Sequence, residues 1–120
     1  MGEETATESE VPPRRAAALI EAGDADLIDV RRPYEWEAGR IAGARHIEVN
    51  ELTGAAESIS RDRTVIFYCR SGSRSALAAA AFRQAGWNAY NLAGGLRAWV
   101  EQGLALDPPG GEVAESRPGT

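Results

Sequence analysis

Cys69 is the only cysteine in the chain, and it lies in the stretch CRSGSRS, residues 69–75. Before it comes RTVIFYC, a β-branched and aromatic run that reads as a buried strand. After it comes SRSALAAAAFRQAG, which reads as a strong helix ending at Gly86. The thiol is therefore expected at the carboxyl end of a strand, a short loop before a helix begins. Gly72 lets that loop curl tightly, and successive N–H groups in such a curl make an anion-binding nest. The helix N-terminus adds partial positive charge from the same side, and Arg70 and Arg74 add full charges. A thiol in that field loses its proton easily, and the thiolate is a nucleophile. Cys69 is thus the candidate catalytic residue. Arg70, Ser71, Gly72, Ser73, Arg74 and Ser75 are the candidate substrate-binding cradle, with Ser73 and Ser75 donating hydrogen bonds or capping the helix. A lone cysteine is more often a small buried hydrophobe; the strand, loop, arginines and helix together point instead to chemistry.

The rest of the chain must position this loop. VPPRRAAALIEAG predicts a helix with prolines in its first turn and Gly23 as its cap. DLIDV predicts a short buried strand, RPYEWEAG a short helix closed by Gly39, and ARHIEV a second strand. NELTGAAESI predicts a helix capped by Asn50. WNAYNL is a last strand and GGLRAWVEQG a last helix followed by Gly103. Strands alternating with helices predict an α/β fold of three layers, a mostly parallel sheet of four to five strands with helices on both faces. Sites in such sheets form at the carboxyl ends of strands.

At 120 residues the chain suits one domain. Residues 1–10 form an expected disordered acidic tail, residues 11–107 the folded domain, and residues 108–120, rich in Pro, Gly and Glu, a second disordered tail. One cysteine and one histidine exclude a Cys/His metal cluster and an internal disulfide. The net charge of −5 argues against a general nucleic-acid or anionic-membrane surface. No apolar run approaches the ~20 residues that span a bilayer, and the acidic N-terminus lacks the pattern of a signal peptide. The expectation from these two is a cytoplasmic protein, and a monomer is expected since no apolar stripe is left over.

Three stretches resemble the rhodanese-like single-domain sulfurtransferases. CRSGSRS is similar to that family's active-site loop. LIDVRRPYEWEAGRIAGARHI is similar to its first signature, and NLAGGLRAW to its closing one. The resemblance covers residues 12 to about 105. It departs where the family often has His and Pro, here Arg40 and Ala42, which lie away from the loop in sequence. The resemblance implies a thiosulfate sulfurtransferase. The Cys69 thiolate takes the outer sulfur of a small anionic donor such as thiosulfate and carries it as a persulfide. It then passes that sulfur to cyanide or a thiol. No metal or organic cofactor is implied.

Two other readings compete. A sulfur-carrier module would be charged by a protein donor or discharged by a protein acceptor. A Cys-dependent phosphatase or arsenate reductase also uses a cysteine at a helix N-terminus, but with five residues between Cys and Arg, where four separate Cys69 from Arg74. Elsewhere, Asp29 and Arg31 are expected to ion-pair internally with neighbours such as Glu35. Arg32, Arg40 and Arg45 read as solvated surface and His46 as structural. Trp36, Trp87 and Trp99 read as packing, and Gly94 and Gly95 as a sharp turn near the site.

Overall fold

The computed structural model describes residues 9–115. Five strands, β1 (Glu10–Val11), β2 (Ala25–Asp29), β3 (Arg45–His46), β4 (Thr64–Tyr68) and β5 (Ala89–Leu92), form one parallel sheet in the order β1-β5-β4-β2-β3. The helices are α1 (Pro13–Glu21), α2 (Pro33–Ala38), α3 (Leu52–Ala55), α4 (Ser73–Gln84) and α5 (Gly95–Glu101). β4 is central because it is apolar on both faces. Val65, Phe67 and then Cys69 point to a layer containing α3 and α4, where Leu52, Ile59, Ala78, Ala79 and Phe82 bury against them. Ile66 and Tyr68 point to the opposite layer, with Ala16 of α1 and Leu96 and Trp99 of α5. The run of alanines in α4 keeps that helix close to the sheet. From β2 the chain moves outward to β3, and from β4 it moves the other way to β5. The carboxyl ends of β2 and β4 therefore open a crevice at this reversal.

Three local expectations change. The helix expected from Asn50 is broken into a 3-10 turn (Val49–Glu51), one α-turn and a second 3-10 turn (Ala56–Ser58), and Asn50 does not cap it. Thr53 and Gly54 are poor helix formers in so short a segment. The strand expected over ARHIEV is only Arg45–His46. Beyond it the chain still leans on β2, through Ile47 N–H to the Asp29 carbonyl and Val49 N–H to the Val30 carbonyl. β1, two residues long, has no periodicity to betray it.

Residues 108–115, placed by composition in a disordered tail, run back along the domain. Glu112 N–H donates to the Ala38 carbonyl, and Arg40 and Asp107 exchange backbone hydrogen bonds. The seam is close: a Cβ on Gly39 would lie 2.6 Å from the Glu112 carbonyl oxygen. The tail expected over residues 1–10 falls mostly on residues 1–8, which lie outside the described residues, as do residues 116–120 of the other tail. Among the described residues no helix is long and apolar enough to cross a membrane.

Candidate active site

Cys69 follows β4 directly and keeps its alternation, so its side chain lands under the N-terminus of α4 and is fully buried. The loop above it is shaped by Gly72, whose φ of 101° is open to glycine and costly for other residues. The first turn of α5 orients the loop. Leu96 N–H donates to the Cys69 carbonyl (2.9 Å) and Arg97 N–H to the Arg70 carbonyl (3.0 Å). With those carbonyls turned toward α5, the Gly72 N–H is aimed at sulfur, 3.2 Å from Sγ. Gly95 makes this approach possible: a Cβ there would sit 2.6 Å from the Arg70 carbonyl oxygen and 2.7 Å from that of Cys69. The Ser75 hydroxyl lies 3.3 Å from Sγ. Burial pushes the thiol pKa up, but the hydrogen bonds from Ser75 and Gly72 and the Arg74 charge outweigh it, and Cys69 is held below the usual thiol range.

The structure brings the predicted loop residues together but gives them unequal parts. Gly72 and Ser75 touch the sulfur. Ser71 and Ser73 are exposed on the outer side. Arg70 lies at the rim, its Nε donating to the Ala114 carbonyl (3.2 Å). Arg74 reaches across the crevice to Glu35 of α2, Nη1 to Oε1 at 3.1 Å and Nη2 to Oε2 at 3.2 Å. Its charge is therefore largely matched by a carboxylate, where the sequence suggested a free cation. The Arg32 N–H also donates to Glu35 (3.1 Å). These donors overcome burial and hold the Glu35 carboxyl below its ordinary range.

The pairing expected around Asp29 is rearranged accordingly. Asp29 and Arg31 pair with each other, both fully buried, with Arg31 Nη2 2.6 Å from Asp29 Oδ2, and Arg31 also donates to the Gly39 carbonyl (2.8 Å). Arg40, read as solvated, lies over the Trp36 ring at 4.8 Å. His46 also stacks on Trp36, the ring centroids 4.8 Å apart and nearly parallel, while its Nε2 faces the Arg31 carbonyl at 2.7 Å. Among the described residues no group of three or more His, Cys, Asp or Glu side chains is placed to hold a metal ion.

Sequence reasoning missed Asn91 and Glu10. Asn91 is on β5, on the same face as Ala89, and is 3% exposed. Its Oδ1 lies 2.6 Å from the Ser75 hydroxyl. Its Nδ2 donates to the Gly72 carbonyl (3.2 Å) and to the Glu10 carboxylate (3.0 Å). The available signal was an amide at an inward position of a strand, where an apolar side chain would be ordinary.

The chain belongs to the rhodanese-like domain family, whose model matches residues 12–102. A relative from Mycobacterium tuberculosis, named a probable adenylyltransferase/sulfurtransferase MoeZ, is 40% identical over 99 residues. The match takes in 78% of this chain and only 25% of that protein, so the chain spans about a quarter of that relative's length. Thiosulfate sulfurtransferase GlpE of Pseudomonas paraeruginosa is 33% identical over 90 residues, covering 74% of this chain and 81% of the relative. The crystal structure of a rhodanese-related protein from Thermoplasma volcanium superposes with a TM-score of 0.76 at 29% identity, covering 81% of this chain and 95% of that one.

Proposed function

We propose that this chain is a sulfurtransferase that moves sulfane sulfur from thiosulfate, or a related small anionic donor, to a thiophilic acceptor through a persulfide on Cys69. The observation that carries this reading is the environment of Sγ, a thiol at a helix N-terminus facing the Gly72 N–H and the Ser75 hydroxyl. The thiolate attacks the outer sulfur of thiosulfate; the sulfur–sulfur bond breaks and sulfite leaves with its electron pair. Cyanide or a thiolate then attacks the outer sulfur of the persulfide, and Cys69 returns as thiolate. The same donors that hold the thiolate hold negative charge on the persulfide. Because Arg74 is matched by Glu35, the donor's charge falls mainly to Arg70 at the rim and to the loop amides. Cys69 is closed off at rest, so the donor enters past exposed Ser71 and Ser73 as the loop yields.

The names of the relatives support sulfur transfer, and GlpE supports thiosulfate as donor. A phosphatase is less well supported: four residues, not five, separate Cys69 from Arg74, and the arginine that would clasp a phosphoryl group is held by Glu35.

The test is thiocyanate formation from thiosulfate and cyanide, for the wild type and Cys69→Ser, with intact mass read after thiosulfate alone. The wild type is expected to turn over and to gain one sulfur atom, and the variant to do neither. Turnover by Cys69→Ser would refute the persulfide. A wild type charged only by a persulfidated protein would replace the thiosulfate enzyme with a sulfur carrier.

A further inference from the structure

The amide of Asn91 has its orientation fixed by its neighbours. The Glu10 carboxylate and the Gly72 carbonyl are both acceptors, so both must meet the NH2 end. Oδ1 is left facing Ser75. The Ser75 hydroxyl, however, carries one proton and has two acceptors in reach, Asn91 Oδ1 at 2.6 Å and Cys69 Sγ at 3.3 Å. It cannot serve both. While Cys69 is a thiol, its S–H donates to Ser75 Oγ and the hydroxyl proton lies toward Asn91. When the thiol proton has left to solvent, sulfur is an acceptor only, and it draws the Ser75 proton against the nearer Asn91 Oδ1.

We infer that Asn91 is a positioning residue for the sulfur chemistry, acting through Ser75: its amide oxygen competes with Cys69 for the Ser75 proton and so sets how readily the thiolate forms. The inference deepens the sulfurtransferase reading and rests on it for its purpose, but the geometry concerns the resting protein. The opposite end of the same amide ties down the Gly72 carbonyl, fixing the loop from which the other sulfur donor comes. Asn91 thus trades thiolate stability for a defined loop and a defined proton. The charged groups around the thiol are Arg70 and Arg74 in the loop, Glu35 of α2 across from Arg74, and Glu10 of β1 behind Asn91. Tyr34 of α2 also faces Arg74. Replacing Asn91 removes none of these charges, but it takes from the Glu10 carboxylate its hydrogen bond to Nδ2.

The experiment is an ultraviolet titration of the thiolate in the full chain, without any sulfur donor, so its failure is distinct from failure of sulfur transfer. Ser75→Ala removes a donor to sulfur and is expected to raise the titration midpoint. Asn91→Leu removes the competing acceptor, which by itself is expected to lower the midpoint by about 0.7 pH unit, a fivefold change and the worth of one ordinary hydrogen bond. It also frees the Gly72 carbonyl, and that shift is common to both backgrounds, so in the Ser75→Ala background the midpoint is expected to end about 0.7 pH unit less lowered than in the wild-type background, because no hydroxyl remains to redirect. A purely structural role would move the midpoint equally in both backgrounds, and that result overturns the inference. Should Asn91→Leu not fold, the wild type supplies the reading. The side-chain amide NMR signals of Asn91 are expected to move through the Cys69 titration and to move less in Ser75→Ala. Equal movement in the two proteins overturns it.

Discussion

Replacing Glu35 with glutamine tests how the crevice is held shut. The Glu35 side chain is 1% exposed and accepts three hydrogen bonds, two from Arg74 and one from the Arg32 N–H. Glutamine keeps the size and one oxygen, which can still serve Arg32. It presents its NH2 to a guanidinium, donor against donor, and it removes the charge. Bonds to charged groups contribute about 1.5–3 kcal/mol each. Two effects reduce the total. The neutral side chain is cheaper to bury, and Arg74, 33% exposed, can turn to water. The net loss at neutral pH is therefore about 2 kcal/mol, roughly 5–10 °C in melting temperature for a domain of this size. The pH dependence has a definite sign. The carboxyl of Glu35 is depressed in the fold below its ordinary 4.5, so its contribution is fully present above that value. It is lost as pH falls below it toward the depressed pKa. The difference between wild type and Glu35→Gln, read by denaturant unfolding at a series of pH values, should be constant from neutrality to about pH 5 and close below 4.5. A difference that persists unchanged to about pH 3, or that is absent at pH 7, would refute the reasoning.

Two further substitutions probe the frame around the sulfur. Gly95→Ala would place a Cβ 2.6–2.7 Å from the Arg70 and Cys69 carbonyl oxygens at a φ of 65°; it should cost about 2–4 kcal/mol by denaturant unfolding and reduce sulfur loading of Cys69 by intact mass, and a stable, fully loading variant would show that α5 does not shape the loop. Asp29→Ala strands the fully buried Arg31 guanidinium and should cost about 3–5 kcal/mol, measured the same way; a loss under 1 kcal/mol would mean that Arg31 finds another partner.

The loop was legible because its chemistry is contiguous. A strand, a cysteine, a glycine turn and a helix occupy residues 64–84 without interruption, and each leaves a local signature. The alternation of β4 even fixes which face the thiol points to. What was not legible depends on pairs distant in sequence. Glu35 and Arg74 are 39 residues apart and Glu10 and Asn91 are 81 apart, and no periodicity joins them. Arg74 therefore read as a free charge, and Asn91 as part of an ordinary strand end. The contacts of residues 108–115 were not legible for a different reason. Their hold is partly through backbone groups, as at Glu112 and Ala38, and backbone hydrogen bonding leaves no trace in a Pro- and Gly-rich composition.

That last segment has a consequence for handling the protein. Tyr34 donates its hydroxyl to the Glu115 carbonyl and Arg70 donates to that of Ala114, so the described chain leaves the domain at the rim above the sulfur. At its other end, Glu10 grips Asn91 just behind the same loop. Both ends of the described chain thus carry contacts to the loop or to the residue behind it, so the choice of where to join a tag, surface anchor or partner domain bears on the sulfur's surroundings as well as on convenience.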